Sequence, residues 1–268
     1  MEITLPVLGS NGYPLQDQAV YGPIRSRRFG NSLGINPLPV TYKFCDFDCV
    51  YCQYGWTPRP GNGVHKTEER LKPLSELLKE IEGSFSKFKN EGVPIHVITI
   101  AGNGEPTLYP NFLKLVQGLL NFRNIYFPKV KVGILSDSSQ CHRSEIKKAL
   151  ELLDERCMKL DAGDEETIEK VNKPVSSFNL KRTMQALRDL HDVTIQSLFI
   201  QGSYDNTQPN QINDWIKAVS FVKPSSVQVY TIDRPPADSR IQAVHLSRLE
   251  EIAHLCQNQT GIPTAVYD

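Results

Sequence analysis

Three cysteines stand close together in the stretch KFCDFDCVYCQYG, from Lys43 to Gly55. Cys45, Cys49 and Cys52 follow a C-x3-C-x2-C spacing, so one short loop can bring three thiolates to a single metal centre. Disulfide pairing would leave one of them over, and a structural zinc site requires a fourth protein ligand that no second C-x2-C pair supplies. A four-iron cluster on three cysteines fits the spacing better, because one iron then stays open to a substrate or cofactor.

The composition of the 268-residue chain argues against several other classes of function. Its 30 acidic and 30 basic residues give a formal net charge of zero, so no overall electrostatic footprint for nucleic acid or an anionic membrane exists. No apolar run approaches transmembrane length, and the first residues lack the basic flank and apolar run of a signal peptide. We therefore expect a cytoplasmic protein with no membrane partner, in which clustered cysteines bind metal or do redox chemistry.

Six apolar stretches of strand type alternate with segments of helical periodicity from Ser32 onward. The predicted strands are SLGINPL, HVITIAG, KVKVGILS, RCMKLDA, VTIQSLFIQ and SVQVYTI. Six strand–helix units imply parallel strands with right-handed crossovers, too few for a complete TIM barrel. The sequence therefore predicts an α/β fold, a partial (β/α)6 TIM-like barrel of parallel strands, with the final IPTAVYD as an extra edge strand.

We expect one domain over residues 1–268, because no low-complexity segment or clean linker interrupts the chain. Residues 1–31, rich in Pro and Gly, are predicted to form an irregular N-terminal arm. Residues 32–235 are predicted to form the barrel core, and residues 236–268 a short C-terminal extension.

The loops after the predicted strands carry the remaining polar candidates, because ligands of parallel-strand folds bind at the carboxyl ends of the strands. In AGNGEPT, after the second strand, the glycines allow close approach of the backbone to a ligand, and Glu105 offers an acceptor for a cation. In KLDAGD, at the fourth strand, Lys159 and Asp161 share one face. They either bind a ligand there or pair with each other.

At these residues the sequence resembles the radical SAM superfamily, whose signature is C-x3-C-x-aromatic-C on the loop after the first strand of a partial (β/α)6 barrel. Tyr51 fills the aromatic position, and the resemblance extends roughly from Tyr21 to Pro236. It implies a metal-binding, oxidoreductase-like enzyme with one 4Fe–4S cluster and S-adenosylmethionine (SAM). Reductive cleavage of SAM gives a 5′-deoxyadenosyl radical that abstracts hydrogen from the substrate. An electron donor such as flavodoxin or ferredoxin is implied as well.

The resemblance also assigns roles to individual residues. Cys45, Cys49 and Cys52 become the cluster ligands, and the backbone of Tyr51 lies against the adenine of SAM. AGNGEPT corresponds to a glycine–glycine–glutamate segment that takes the methionyl ammonium, here with Asn103 between the glycines. The full set of predicted cofactor-binding residues is Tyr51, Gly102, Gly104, Glu105, Ser136, Lys159, Asp161, Gln201, Tyr230 and Arg234.

Two of the predicted positions keep a structural alternative. Arg234, beside two prolines, suits a carboxylate or phosphate, or else forms a salt bridge with Asp233 or Asp238. Cys141, after the third strand, is the candidate catalytic residue, as a hydrogen-atom donor or covalent anchor, or else a small buried hydrophobe.

Within the superfamily, the stretches GPIRSRRFGNSLGINPLP, KLDAGDEETIEKVNKP and TIDRPPAD resemble the branch of wyosine-base-forming tRNA enzymes. Those enzymes carry a second cluster on additional N-terminal cysteines, whereas no cysteine precedes Cys45. The chain therefore resembles the branch without its second cluster. Arg25, Arg27 and Arg28 form the densest basic group, either a nucleic-acid contact or an anchor for the arm.

The substrate stays open at this point, as a small molecule, a peptide or RNA. Three enzyme classes remain, namely a radical SAM enzyme of another substrate, a wyosine-like tRNA-base modification enzyme and an activase of a glycyl-radical enzyme. The alternative from a different class of function is a non-catalytic iron–sulfur or metal-sensing module. Glu105, Lys159 and Asp161 favour an enzyme, because a sensor does not need a cofactor pocket at the strand ends.

Overall fold

The computed structural model describes residues 6–26, 30–58 and 71–267, which contain ten β-strands and seven α-helices. The strands are β1 Val20–Ser26, β2 Gly30–Ile35, β3 Val97–Ile100, β4 Lys131–Ser136, β5 Glu155–Lys159, β6 Val193–Leu198, β7 Ile200–Gly202, β8 Ser226–Tyr230, β9 Ile241–Ala243 and β10 Thr264–Tyr267. The helices are α1 Leu74–Asn90, α2 Phe112–Tyr126, α3 Ser144–Glu151, α4 Glu165–Val171, α5 Leu180–Arg188, α6 Pro209–Val222 and α7 Leu246–Thr260. A 3-10 helix, Pro106–Leu108, follows β3.

Eight strands form one open sheet in the order β1-β2-β3-β4-β5-β6-β8-β10. All pairs from β2 to β10 are parallel, and each crossover between them contains at least one helix. The six strands predicted from the sequence are β2, β3, β4, β5, β6 and β8. The prediction of an α/β fold, a partial (β/α)6 TIM-like barrel of parallel strands, is confirmed, and its sheet stays open between β1 and β10.

The sheet continues past the six predicted strands at both edges. β1 lies inside the segment predicted as an irregular arm, and it pairs antiparallel with β2. Gly22 and Pro23 interrupt its apolar alternation, and the register shifts between Tyr21 and Ile24, so the sequence gives a weak strand signal there. At the other edge, β10 is the edge strand predicted for IPTAVYD.

The fifth predicted strand, VTIQSLFIQ, divides at Phe199 into β6 and β7. β7 leaves the main sheet and pairs antiparallel with β9. The buried side chain of Asn206 explains the division, because it accepts a hydrogen bond from Ile200 N at 2.8 Å and donates one to Leu198 O at 2.8 Å. These bonds satisfy backbone groups that a continuous strand would have paired with its neighbour.

Two clusters of buried apolar residues hold in place the helices, the sheet and the cysteine loop. The large core joins the helices to the sheet, and α1 contributes Leu77, Ile81 and Phe85 to it at helical spacing. A smaller cluster joins Val50 of the cysteine loop (residues 43–55) to the ends of α4, β6 and the β7–β9 pair. This second cluster holds the cysteine loop at the carboxyl ends of the strands. Among the described helices, none is both long and apolar enough to cross a membrane.

Candidate functional site

The cysteine loop carries three free thiols, with Cys49 buried and Cys45 and Cys52 half-buried. The buried side chain of Lys43 lies among them, where its Nζ donates to Gly55 O at 3.1 Å. Burial lowers the pKa of Lys43, but the three thiols and an aspartate of the same loop outweigh it, so the pKa lies above its ordinary value. One buried cation therefore stands where three thiolates would bring negative charge. This donor set fits a cluster held by three thiolates.

Burial favours the protonated form of two of the thiols. Burial raises the pKa of Cys49 to about 12, against the opposing charge of Lys43. Burial, followed by the Asp137 carboxyl group, raises the pKa of Cys45 well above its ordinary value. A metal centre must therefore displace these protons when it binds.

The AGNGEPT segment after β3 supports one side of the cysteine loop. Phe44 N donates to Asn103 O at 2.7 Å, and Glu105 N donates to Phe44 O at 3.0 Å. Gly104 has a φ of +140°, and a Cβ atom there would lie 1.8 Å from Phe44 O. A Cβ on Gly102 would lie 2.0 Å from a buried asparagine side chain. The glycines thus allow close approach of other protein segments, and their predicted contact with a ligand stays a prediction.

The segment that ends α4, residues 171–175, supports the opposite side of the loop. The amides of Asp48 and Val50 donate to carbonyl oxygens of this segment at 3.0 Å, and Val175 N donates to Asp46 O at 2.8 Å. The cysteine loop is therefore hydrogen-bonded from both sides.

Two carboxyl groups lie on the Cys45 side of the loop, the buried Glu105 and the half-buried Asp137. Glu105 accepts hydrogen bonds from Thr107, from Ser136 Oγ at 3.0 Å and from Asp137 N at 2.6 Å. Burial raises the pKa of Glu105, and burial together with Glu105 raises the pKa of Asp137 well above its ordinary value. The Cys45 thiol donates to Asp137 Oδ2 at 3.6 Å. These carboxyl groups can accept a cation next to the thiols, and Ser136 orients one of them.

Lys159 forms an ion pair with the fully buried Asp161, with Nζ and Oδ1 2.7 Å apart, and 14% of the lysine side chain is exposed. The ammonium group also donates to Tyr230 OH at 2.8 Å, and it lies 5.0 Å and 4.8 Å from the ring centres of Tyr51 and Tyr230. Burial lowers the pKa of Lys159, but Asp161 and Tyr230 raise it above its ordinary value. The structure therefore shows the pairing that the sequence left as an alternative to ligand binding.

Asp161 is the centre of a wider network. Its second oxygen accepts hydrogen bonds from Tyr51 OH and from Asn172 Nδ2, the latter at 2.7 Å, and Leu198 N donates to Oδ1 at 2.8 Å. The Asp161 carboxylate thus connects the end of β5 to the end of β6, to the end of α4 and to Tyr51 of the cysteine motif. A small cavity lined in part by Asp137, Lys159, Asp161 and Asn172 adjoins this network.

The rim of the site beside the cysteine loop is aromatic and cationic. The Lys173 ammonium lies 5.2 Å from the ring centre of Trp56 and 4.7 Å from that of Tyr204. It also donates to Tyr204 OH at 3.0 Å, and Arg240 lies on the same tyrosine ring at 5.8 Å. Such contacts hold a lysine side chain in one place while leaving its charge available.

Two of the remaining predicted residues have protein partners. Arg234 Nη1 donates to Gln53 Oε1 at 2.6 Å, which ties the exposed loop after β8 to the cysteine loop. Asp238, one of the alternative partners considered for Arg234, pairs with Arg240 at 2.7 Å. Gln201 Nε2 donates to the hydroxyl of Thr207 at 3.2 Å.

The sulfur of Cys141 lies inside the large core, with 1% of the residue exposed, and donates weakly to Thr183 O at 3.9 Å. Its burial favours the packing alternative over a catalytic role, which stays a prediction. Arg27 and Arg28 lie outside the described residues.

Three residues that the sequence did not single out join the site, namely Lys43, Asp137 and Asn172. Asp137 follows Ser136 at a strand end, which is the position that nominated its neighbour. Lys43 and Asn172 carried no such signal, because a polar residue near a loop is usually solvated.

Comparisons with known proteins agree with this architecture. A family model for the Radical SAM superfamily matches residues 40–212. A UPF0026 protein of Helicobacter pylori strain J99 is 32% identical over 222 residues, which cover 81% of this chain and 67% of that protein. UPF0026 protein MJ1312 of Methanocaldococcus jannaschii is 31% identical over 241 residues, covering 87% and 69% respectively. The chain spans about two thirds of these relatives' own lengths.

Three solved structures share the fold at low sequence identity. A radical SAM methyltransferase from Sphaerobacter thermophilus has a TM-score of 0.65 at 11% identity, covering 97% of this chain and 71% of that one. TYW1 with a lysine–pyruvate adduct bound has a TM-score of 0.60 at 11% identity, covering 87% and 76%. Streptococcus suis SuiB bound to S-adenosylmethionine has a TM-score of 0.60 at 16% identity, covering 85% and 49%.

Proposed function

Because the chain belongs to the Radical SAM superfamily, we propose that it binds one 4Fe–4S cluster through Cys45, Cys49 and Cys52, with SAM beside it. The cysteine loop carries this proposal. The backbone of the loop is hydrogen-bonded from both sides, and its three free thiols share one buried cation, Lys43. A ligand set of three leaves one iron of a four-iron cluster without a protein ligand, as a bound cofactor requires.

When bound, the cluster and SAM supply a 5′-deoxyadenosyl radical that abstracts a hydrogen atom from the substrate. The protein's task is to bind and orient the cofactor and the substrate and to exclude water. We assign Glu105 and Asp137 to the methionyl ammonium. Asp137 accepts a hydrogen bond from the Cys45 thiol, and Glu105 lies beside Asp137, held by hydrogen bonds from Asp137 N and Ser136 Oγ. The backbone of Tyr51 is assigned to the adenine, since its hydroxyl is held by Asp161.

Lys159 is assigned to the methionyl carboxylate. An ammonium group has three protons to donate, and the contacts with Asp161 and Tyr230 use two of them. The third remains for a carboxylate without breaking the buried ion pair. The other predicted cofactor contacts remain proposals at their strand ends, namely Gly102, Gly104, Ser136, Asp161, Gln201, Tyr230 and Arg234.

The likeness to TYW1 agrees with the branch that the sequence resembles, the wyosine-base-forming enzymes. The substrate class stays open among a small molecule, a peptide and RNA. We further propose a one-electron donor such as flavodoxin or ferredoxin, a cytoplasmic location and one domain over residues 1–268. The described chain supports the last point, since one continuous sheet reaches from β1 to β10.

Anaerobic reconstitution with iron and sulfide tests the proposal. We expect brown protein with about four irons per chain. After chemical reduction it should convert SAM to 5′-deoxyadenosine and methionine, measured by liquid chromatography, and the unreduced sample serves as the control. Colourless protein with one zinc, or loaded and reduced protein that leaves SAM intact, would contradict the proposal.

A further inference from the structure

Asn172 directly follows Val171, the last residue of α4, and hydrogen bonds of its backbone hold it in place. Its backbone N–H donates to Ile168 O at 2.8 Å, and its carbonyl oxygen accepts from Asp48 N of the cysteine loop at 3.0 Å. Only 2% of the residue is exposed. The side chain therefore projects from a rigid helix end into the space behind the cysteine loop.

The amide group of Asn172 turns its donor end towards the thiol of Cys49. Nδ2 lies 3.6 Å from Cys49 Sγ, within hydrogen-bond distance for sulfur, 3.0 Å from Tyr51 OH and 2.7 Å from Asp161 Oδ2. Oδ1 is buried with no hydrogen-bond partner among the described residues. Reversing the amide would place an oxygen against the Asp161 carboxylate, so the network itself dictates which end faces the sulfur.

A hydrogen bond to a cluster sulfur affects both the orientation of the cysteine ligand and the negative charge on its sulfur. An N–H donor fixes the orientation of the ligand that accepts it. It also stabilises negative charge on the sulfur, and a reduced cluster carries one more negative charge than an oxidised one. Hydrogen bonds to the sulfurs therefore raise the reduction potential of an iron–sulfur cluster.

We propose that Asn172 is a positioning residue for the cluster, whose amide N–H donates to the thiolate of Cys49 and favours the reduced state. This inference rests on the proposed function, since it requires a cluster on the three cysteines. Burial strengthens the effect, because a hydrogen bond is electrostatically stronger in the low-dielectric interior than in water. The competing view is that Asn172 serves only to join Tyr51 and Asp161.

A redox titration of the reconstituted protein, followed by the visible absorption of the cluster, separates the two views. Asn172→Leu keeps the shape of the side chain and removes the donor. We expect full iron loading and a more negative potential, with the ratio of reduced to oxidised cluster at a fixed potential lowered about tenfold, equivalent to about 59 mV for one electron. If Asn172→Leu does not load, Asn172→Ser is measured in its place, since its hydroxyl is too short to reach the sulfur.

Asn206→Ser is the matched control. Asn206 is also a buried asparagine next to Asp161, and its side-chain amide hydrogen-bonds to backbone groups, donating to Asp161 O at 3.0 Å and Leu198 O at 2.8 Å and accepting from Ile200 N at 2.8 Å. The control should load iron with the potential of the unchanged protein. A fully loaded Asn172→Leu protein at the unchanged potential would overturn the inference. Loss of the cluster from both Asn172 variants, with Asn206→Ser fully loaded, would make the role structural and would overturn it as well.

The two proposals fail in different ways. An unchanged chain that binds no cluster would defeat the proposed function itself. An unchanged chain that loads and titrates normally, with no shift in the Asn172 variants, would defeat only this inference.

Discussion

Replacing Cys49 with alanine is expected to abolish cluster binding and the formation of 5′-deoxyadenosine. Cys49 is the buried central member of the three thiols, and its neighbours Asp48 and Val50 are hydrogen-bonded to the end of α4. No other thiol can reach its position, because the loop cannot shift without breaking those bonds. Iron, acid-labile sulfide and 5′-deoxyadenosine are measured on the anaerobically reconstituted variant. We expect iron to fall from about four per chain to below about one.

Cys256→Ala is the matched control, since Cys256 is fully buried on α7 and packs in the large core. It should keep the full iron content and activity, at a cost to stability of about 1 kcal/mol for the small cavity. Cys141→Ala tests the catalytic prediction separately, because it removes a core thiol without touching the loop. A Cys49→Ala protein that still forms 5′-deoxyadenosine at the original rate would contradict the ligand assignment.

Replacing Asp161 with alanine is expected to lower the free energy of unfolding by about 3–5 kcal/mol, the usual cost of removing one partner from a buried ion pair. The change leaves the largely buried Lys159 ammonium without its carboxylate, and it removes the acceptor of Tyr51 OH, Asn172 Nδ2 and Leu198 N. Urea unfolding of the metal-free protein, followed by circular dichroism, measures the loss. We also expect weaker iron loading, because the network steadies the cysteine loop.

Glu166→Ala provides the comparison for an ion pair in water. Glu166 pairs with Lys170 one turn away on α4, and the two side chains are 79% and 62% exposed. Exposed ion pairs of this kind contribute little to stability, so the urea midpoint of Glu166→Ala should barely differ from that of the unchanged protein. If Asp161→Ala cost no more than Glu166→Ala, the network around Asp161 could not be what holds the site together.

The sequence predicts the sheet well because parallel strands covered on both faces consist of near-continuous apolar runs. β3 shows this, with all four of its residues buried. β1 gave a poor signal, because its Gly-Pro pair breaks the apolar pattern of an edge strand. The division of β6 from β7 depends on Asn206, whose side chain replaces strand hydrogen bonds, and no local pattern announces such a role.

In the candidate site, too, the features set by local sequence could be predicted, and those set by long-range contacts could not. Three cysteines on one loop are a spacing pattern, so they can be read from the chain. The contact between Asn172 and Cys49 joins residues 123 positions apart, and only the fold brings them together. Lys43 lies in the same stretch as the thiols, but its inward direction depends on how the loop closes onto Gly55. Lys159 and Asp161 were predicted to share a face, and the structure decides that they form an ion pair.

The central claim is that three cysteines leave one iron of the cluster open to the methionyl end of SAM. Electron–nuclear double resonance on the reduced, reconstituted chain tests it most directly, with SAM carrying nitrogen-15 in its amino group. We predict a hyperfine coupling between the label and the cluster, which disappears when unlabelled SAM is supplied. A reduced cluster that shows no coupling to the label at saturating SAM would contradict the account.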